Sequence, residues 1–253
     1  MKVLLIGGDG YIGNHIVKYF NNECFFYVLN RKTLYTSVDG KVICNANDIN
    51  ISQIILGLQL DAIINLISNI DALPFVTSIL SNVKMQDSSV FVLHIASISE
   101  FASNQKSQYA DNKIQWKEVL FQSNLVDSVF YCGMVYGENP RMERDLIKYK
   151  NLLLGTSLAY KVKVDVASVF DICFTILFVC MNKNKFQKTR WIYYLGEYIN
   201  IQDLYSYCEL STEMKLRIPK IVDKALLEIV ATRLNDVNDT MKYRIYRFIK
   251  IAI

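Results

Sequence analysis

A short apolar run followed at once by closely spaced glycines opens this chain, and it constrains the fold more than any other feature. Val3 to Ile6 has the pattern of a strand, and the next seven residues are Gly7-Gly8-Asp9-Gly10-Tyr11-Ile12-Gly13. Glycines at 7, 10 and 13 permit a sharp turn, a close approach of the backbone to a pyrophosphate, and tight packing of the following helix on the strand. The N-terminus of that helix offers N–H groups and a partial positive charge to phosphates. The pattern therefore predicts a dinucleotide-binding turn.

The spacing leaves the register of the glycines open. Counted from Gly7 the pattern is G-x-x-G-x-x-G, whereas Gly8, Gly10 and Gly13 fit the standard G-x-G-x-x-G. The alternative to dinucleotide binding is an ordinary glycine turn in an α/β protein. The clean strand directly ahead of the glycines favours the dinucleotide.

Strand-like and helix-like segments alternate over the first half of the chain. Near-continuous apolar runs, such as Ala62 to Ile67 and Val90 to Ile95, are typical of strands covered on both faces. The predicted strands are 2–6, 24–29, 41–44, 61–67, 89–96 and 127–132, with helices at 11–22, 50–58, 73–85 and 105–123. This alternation predicts an α/β fold with a doubly wound parallel sheet of the Rossmann type, which binds ligands at the carboxyl ends of its strands.

The alternation weakens after Gly137-Glu138-Asn139-Pro140. Residues 1–137 are predicted to form the dinucleotide-binding Rossmann core. Residues 138–253 are predicted to form a small C-terminal α+β substrate-binding portion that is interleaved with the core. In this portion, predicted helices at 171–182, 201–210 and 221–234 mix with predicted strands at 161–166 and 191–195.

A tyrosine and a lysine four residues apart form the second motif, Tyr109-Ala110-Asp111-Asn112-Lys113. On a helix this spacing puts both side chains on one face. A tyrosine ordinarily has a pKa of about 10, and a nearby ammonium favours the phenolate and lowers that pKa, so the pair can exchange a proton near neutral pH. Ser97, at the end of a predicted strand, is positioned to polarise a substrate carbonyl. The alternative is a surface pair on an amphipathic helix, and the glycine motif upstream favours catalysis.

The distribution of charge argues against a nucleic-acid-binding protein. The net charge is +4, and the surplus lies in residues 241–253, which contain four basic residues and no acid. A nucleic-acid binder would spread positive charge over a face. We expect the tail to form a final helix that packs on the body, and the alternative is contact with a membrane surface. No apolar run reaches the roughly 18 residues that a transmembrane span needs.

The six cysteines and two histidines bear on the compartment and on metals. The cysteines form no C-x-x-C pair and several lie in apolar runs, which suits reduced thiols in a cytoplasmic protein. With only His15 and His94 available, we expect no metal site. Both histidines are interpreted first as structural.

Together the two motifs resemble the extended short-chain dehydrogenase/reductase family, in its NAD-dependent epimerase/dehydratase branch. The resemblance is strongest over residues 1–137, and it matches the family's serine–tyrosine–lysine triad to Ser97, Tyr109 and Lys113. It implies an NAD or NADP cofactor. The expected cofactor-binding residues are Gly7, Gly10, Tyr11, Ile12, Gly13, Asn30, Arg31, Asp48, Ile49, Asn65, Ser68, Tyr109 and Lys113.

Weaker resemblances continue beyond the core. Cys132-Gly133-Met134-Val135-Tyr136-Gly137 is similar to the family's R-P-x-x-V-Y-G stretch, with Tyr131 and Cys132 in place of its arginine and proline. Val164-Asp165-Val166-Ala167 resembles the V-x-D-V-A element behind the substrate pocket, and Leu195-Gly196-Glu197 resembles a late N-x-G stretch. We expect Ser99 and Tyr136 to contact the substrate.

One departure from the family pattern bears on the choice of cofactor. The acidic residue expected after the second strand is missing, and Asn30-Arg31-Lys32 stands in its place. A carboxylate would repel a 2′-phosphate, whereas Arg31 could pair with it. NADP is therefore expected over NAD, and the alternative is that Arg31 is merely solvated.

The resemblance implies hydride transfer at a carbon of a nucleotide-activated sugar. A dehydratase is disfavoured because Ile98 and Ser99, not an acidic pair, follow Ser97. We expect an NADP-preferring reductase of a keto-sugar nucleotide in surface-polysaccharide biosynthesis, with Tyr109 as the proton donor. One alternative is a nucleotide-sugar 4-epimerase that retains NAD, and another is a non-catalytic NAD(P)-binding redox sensor. By analogy with the family, a homodimer would form through the helix at 105–123.

Overall fold

The computed structural model of the chain describes nine stretches and divides into two compact units. The described residues are 1–30, 37–38, 41–46, 48–98, 108–137, 146–148, 163–186, 191–194 and 196–208. The first unit comprises Met1–Ser103, Ala110–Cys132 and Val169–Tyr194, and the second comprises Asn104–Tyr109, Gly133–Ser168 and Leu195–Ile253.

The described strands and helices follow the chain in this order. The strands are β1 (Lys2–Ile6), β2 (Phe25–Asn30), β3 (Ser37–Val38), β4 (Lys41–Asn45), β5 (Ala62–Asn65), β6 (Phe91–Ser97), β7 (Ser128–Cys132), β8 (Met134–Tyr136), β9 (Lys163–Ser168), β10 (Trp191–Tyr193) and β11 (Glu197–Asn200). The helices are α1 (Tyr11–Phe20), α2 (Ile51–Leu56), α3 (Leu73–Gln86), α4 (Gln108–Gln122), α5 (Val169–Met181), α6 (Lys183–Phe186) and α7 (Ile201–Tyr207), with a 3₁₀ turn at Ile70–Ala72.

The sheet of the first unit has the strand order β10-β7-β6-β5-β1-β2-β4-β3. All its described neighbours run parallel except β3 and β4. The chain builds outward from β1 in one direction and then, from β5, in the other. This reversal of order confirms the predicted doubly wound fold. Folds of this kind bind ligands at the carboxyl ends of the strands where the order reverses, which here are β1 and β5.

The core of the first unit is the centre of this sheet. Val3, Leu4, Leu5 and Ile6 of β1 are fully buried, and β1 lies in the middle of the sheet between β5 and β2. Continuous apolar runs are the sequence signature of such strands, and this is why β1, β5 and β6 were predictable.

The second unit contains a small mixed sheet in the order β11-β9-β8. β8 runs parallel to β9, and β11 runs antiparallel to it. β9 was predicted, but the short strands β8 and β11 were not. The predicted helix at 221–234 lies outside the described residues.

Helix α5, which was predicted, is buried on one side only. Ile172, Cys173, Ile176 and Cys180 are buried, but Phe170, Phe174 and Phe178 are each about half exposed. Residues four apart on a helix share a face, so the three phenylalanines form one exposed apolar stripe. None of the helices in the described stretches is long and apolar enough to cross a bilayer.

Candidate functional site

The turn between β1 and α1 requires glycine at its first position. Gly7 has a φ of 78°, a left-handed conformation that glycine adopts without strain. Its N–H donates to the Leu29 carbonyl oxygen at 3.2 Å, and its own carbonyl oxygen accepts from the Gly10 N–H at 3.1 Å. A Cβ on Gly7 would lie 2.7 Å from Cγ1 of Ile67, which follows β5. The turn is thus closed on itself and packed against the neighbouring strand end.

The helix after the turn touches the turn's own backbone. A Cβ on Gly13 would lie 2.5 Å from both Cα and O of Gly8, and a Cβ on Gly8 would lie 2.7 Å from Cβ of Leu5. Gly10 is less constrained, because its φ of −77° and ψ of 177° are extended and its Cβ would lie 3.3 Å from the Gly7 oxygen. The motif spacing predicted that Gly10 is required, but the positions with no room for a Cβ are Gly7, Gly8 and Gly13.

The N-terminus of α1 is not capped by a side chain. Gly10 is the N-cap, no side chain caps this end, and the first turn contains no acidic residue. Asn14 accounts for one further contact here, since its Nδ2 donates to the Asp9 carbonyl oxygen at 2.8 Å. A ten-residue helix with this kind of N-terminus favours an anion such as a phosphate group.

Asn65 at the end of β5 is tied into the protein interior. The side chain is fully buried, and its Oδ1 accepts from the Ile67 N–H at 3.2 Å. Its Nδ2 lies 3.1 Å from Nδ1 of His94, the residue opposite it on β6. Asn65, predicted to contact the cofactor, therefore uses its side chain to hold the segment that follows β5.

Lys113 lies at the carboxyl end of β6. Only 4% of the lysine is exposed, and its Nζ donates to the Ile95 carbonyl oxygen at 2.7 Å, two residues before Ser97. Trp116 and Leu120, on the same face of α4, are fully buried against the sheet. Tyr109 belongs to the first turn of α4, one turn before Lys113, and its side chain lies outside the described part of the structure.

The other predicted cofactor residues fall at several points around the strand ends. Asn30 ends β2 and Ser68 follows β5, and both are partly exposed. Asp48 precedes α2, where its Oδ1 accepts from the Asn50 N–H at 2.8 Å, and Ile49 is 96% exposed.

For two of the remaining predicted binding residues the structure gives no position, and the third lies in the second unit. Arg31 and Ser99 lie outside the described residues, and Tyr136 belongs to β8 of the second unit.

The second unit contains a carboxyl group enclosed by two glycines. A Cβ on Gly133 or on Gly196 would lie 2.5 Å from Oδ1 of Asp165 on β9. Among the described residues, this buried oxygen has no hydrogen-bond partner. Burial raises the pKa of Asp165, and the backbone N–H of Gly196 opposes part of that rise. Sequence reasoning assigned Asp165 to a motif but did not find this enclosure, because its three residues are far apart in the chain.

Four of the described cysteines are buried thiols. Cys24, Cys132, Cys173 and Cys180 are buried, as predicted, and none of these four is in a disulfide. Burial raises the pKa of the Cys173 thiol to about 12, so it stays protonated at neutral pH. The Cys173 Sγ lies 3.7 Å from the Ile12 carbonyl oxygen in the first turn of α1. It therefore helps to fix α1 against α5.

Comparison with solved structures identifies the fold. UDP-glucuronic acid 4-epimerase from Bacillus cereus in complex with NAD is 15% identical, over 83% of this chain and 82% of that one, with a TM-score of 0.61. UDP-glucose 4-epimerase is 12% identical, over 87% of this chain and 85% of that one, with a TM-score of 0.65. The terminal R domain from the myxalamid PKS-NRPS biosynthetic pathway is 12% identical, over 99% of this chain and 78% of that one, with a TM-score of 0.71.

These likenesses confirm the fold that the sequence resemblance implied. The sequence itself matches no model of a known protein family and no curated protein.

Proposed function

We propose that this chain binds a nicotinamide dinucleotide at the glycine turn and reduces a keto group of a nucleotide-activated sugar. One observation carries the proposal: the glycine turn and the uncapped N-terminus of α1 lie at the carboxyl end of β1, and Lys113 lies at the carboxyl end of β6, which is separated from β1 by β5 alone. A dinucleotide needs a close approach to backbone, a positive end for its pyrophosphate, and a cation near its ribose.

The residues present fit such a cofactor. Glycine at positions 7 and 13 lets the turn, α1 and the segment after β5 pack closely together, and the first turn of α1 has no acid to repel phosphate. Bound there, the nicotinamide would supply the hydride to the carbonyl carbon. Tyr109 would give a proton to the carbonyl oxygen, which Ser97 would bind. Lys113, one helical turn from Tyr109, would favour the phenolate that remains.

The choice between NADPH and NADH depends on Arg31, and fluorescence titration of each nucleotide tests it. We expect tighter binding of NADPH, and we expect Arg31→Ala to weaken NADPH by about tenfold while leaving NADH unchanged, because one charge-assisted contact to the 2′-phosphate is lost. Binding of neither nucleotide by the unaltered chain would refute the proposed function. Equal loss for both nucleotides would refute only the role of Arg31.

A second candidate is a nucleotide-sugar 4-epimerase, which the two epimerases of the same fold favour. An epimerase regenerates its cofactor in each cycle, whereas a reductase consumes one NADPH per turnover. NAD released from the denatured purified protein, with interconversion of a UDP-hexose and no net NADPH consumption, would favour the epimerase.

A third candidate is a redox sensor, which, unlike a reductase, would not need the hydroxyl group of Tyr109. If the chain only reports cofactor state, Tyr109→Phe leaves its cellular role intact. A reductase in surface-polysaccharide biosynthesis would lose most of its turnover in that variant while still binding the nucleotide.

A further inference from the structure

A buried histidine lies behind the proposed cofactor site and takes no part in the proposed chemistry. His94 is fully buried on β6, opposite Asn65 of β5. Its ring stacks on that of Trp116 from α4, with centroids 5.9 Å apart and planes 17° from parallel. Trp116 is held in turn by its Nε1, which donates to the Asn69 carbonyl oxygen at 3.3 Å.

The direction of the hydrogen bond between the two side chains is fixed. Oδ1 of Asn65 accepts from the Ile67 N–H, so the other atom of the amide, Nδ2, is the one that faces Nδ1 of His94. An amide nitrogen only donates, and Nδ1 must therefore accept with its lone pair. The proton of the neutral ring then belongs on Nε2. An imidazolium would present an N–H to another N–H and lose the contact.

The surroundings of His94 hold the ring neutral. Burial is the largest cause and the ammonium of Lys113 the second, and together they lower the pKa of His94 well below its usual value of 6.5, although a hydrogen bond with the Asn65 backbone opposes part of that shift. Lys113 on α4 is the charged group that acts on the ring, while Asn65 and Trp116 are its neutral neighbours. The acceptor at Nδ1 is consequently present throughout the neutral range.

The ring is not fully satisfied in this position. Among the described residues, the buried Nε2 has no hydrogen-bond partner, which costs free energy that an apolar side chain would avoid. What the histidine adds over a phenylalanine of similar shape is the acceptor at Nδ1.

The contact continues from Asn65 to the glycine turn. Asn65 holds the Ile67 N–H, and the Ile67 side chain fills the space where a Cβ on Gly7 would lie, 2.7 Å from Cγ1. The Leu66 N–H, between them, donates to the Ile6 carbonyl oxygen at 2.9 Å. His94, Asn65, Ile67 and Gly7 thus form one continuous line of contacts from β6 to the turn.

We propose that His94 is a positioning residue: as a neutral hydrogen-bond acceptor it fixes the Asn65 side chain, and through the Ile67 N–H it fixes the segment that packs on the glycine turn. Loss of this role should weaken cofactor binding, an expectation that rests on the proposed function. It should also speed hydrogen exchange of the Ile67 amide, an expectation that does not depend on the proposed function.

Two variants separate the acceptor from the packing. His94→Asn keeps an acceptor near the position of Nδ1 but loses the ring, whereas His94→Phe keeps the stacked ring but loses the acceptor. We expect His94→Phe to raise the Kd for NADPH by about tenfold and His94→Asn by about threefold or less, because an unpaired buried amide costs more than the partial loss of a stacking contact. A role in packing alone predicts the opposite ranking.

Hydrogen exchange of the Ile67 amide gives a readout that needs no cofactor. With global stability matched by urea unfolding, we expect faster exchange in His94→Phe and near-native exchange in His94→Asn. If the chain binds no nucleotide yet this ranking holds, the proposed function fails and the positioning role stands. If exchange is equally fast in both variants, or faster in His94→Asn, the positioning role is overturned.

A second readout addresses the protonation state of the ring. Long-range ¹H–¹⁵N spectra of the unaltered chain should show the neutral tautomer protonated at Nε2 from pH 8 to pH 6. An imidazolium signal, or a proton on Nδ1, would overturn the proposal whatever the affinities show.

Discussion

Glycines bring groups into unusually close contact in two places, one in each unit, and they do so for different reasons. Around Gly7 and Gly13 the missing side chains let a helix, a turn and a strand end meet, while the N-terminus of α1 stays uncapped. Around Gly133 and Gly196 the missing side chains make room for a carboxyl group of the chain itself, that of Asp165. In the first cluster, the N-terminus of α1 is left without a capping side chain and can bind an anion from outside the chain. In the second cluster, the glycines enclose the carboxyl group of Asp165.

The difference shows what a glycine motif can and cannot reveal. The first cluster is contiguous in sequence, so its spacing alone predicts a ligand. The second cluster consists of Gly133, Asp165 and Gly196, which are about thirty positions apart in the sequence and come together through the pairing of β8, β9 and β11. No short sequence motif predicts it. Substitutions in both clusters test this difference, because each cluster should respond differently in the free energy of unfolding and in the affinity for NADPH.

The largest effect is expected at Gly13. Gly13→Ala would put a Cβ 2.5 Å from the backbone of Gly8, and neither the helix nor the turn can move without disturbing β1. We expect the free energy of unfolding to fall by about 3 kcal/mol, the upper range for overpacking. Urea unfolding measures it, and a loss below about 1 kcal/mol would show that α1 can shift on the sheet.

Gly196→Ala should have a smaller but still large effect. Its Cβ would clash with the Val166 carbonyl oxygen and lie 2.5 Å from Oδ1 of Asp165, but β11 is an edge strand of its sheet and can shift more easily than α1. We expect a loss of about 2 kcal/mol in urea unfolding. Nucleotide affinity should not change, and a parallel loss of NADPH binding would contradict the separation of the two clusters.

Asp165→Asn tests the enclosed charge through pH. Because the folded-state pKa of Asp165 is raised above 3.8, its contribution to stability is fully present below pH 3.8 and is lost as the pH rises through the folded pKa. The variant lacks this titration. Lowering the pH from 7 toward 4 should therefore favour the unaltered chain relative to Asp165→Asn, and parallel unfolding curves against pH would refute the assignment.

The smallest effect on stability is expected at Gly10. Its backbone is extended and its Cβ would lie 3.3 Å from the Gly7 oxygen, so Gly10→Ala should cost about 0.5 kcal/mol. The same methyl group would face the proposed pyrophosphate, so NADPH affinity should fall by more than the stability loss accounts for. If affinity and stability change together, Gly10 serves the fold and not the ligand.

The sequence predicted those parts of the structure whose signals are local. Strands β1, β5 and β6 are continuous apolar runs, and the glycine turn is seven consecutive residues. Strands β3, β8 and β11 have two to four residues and, unlike β5, do not lie inside a longer apolar run, so no pattern marks them. The exposed stripe on α5 was missed because an almost entirely apolar helix does not show which face lies outward.

The same distinction applies to the candidate site. Lys113 was found from its spacing to Tyr109, and the structure brings its Nζ to the end of β6. By contrast, the lack of space for a side chain at Gly8 and the hydrogen bond between Asn65 and His94 arise from contacts between different strands and helices. The sequence motifs did not predict them. The latter pair is separated by 29 residues, and only the strand register reveals it.

The first unit is not one continuous stretch of chain, and this limits how the protein can be dissected genetically. A fragment ending at Cys132 would retain the glycine turn but lack α5 and β10, which the chain supplies only from Val169 to Tyr194. The face of α1 that packs on α5 would then be uncovered, and β7 would become an unpaired sheet edge. Exposed apolar surface and a bare edge strand promote aggregation. Expression of the first unit alone would accordingly need residues 169–194 supplied in cis or as a complementing peptide.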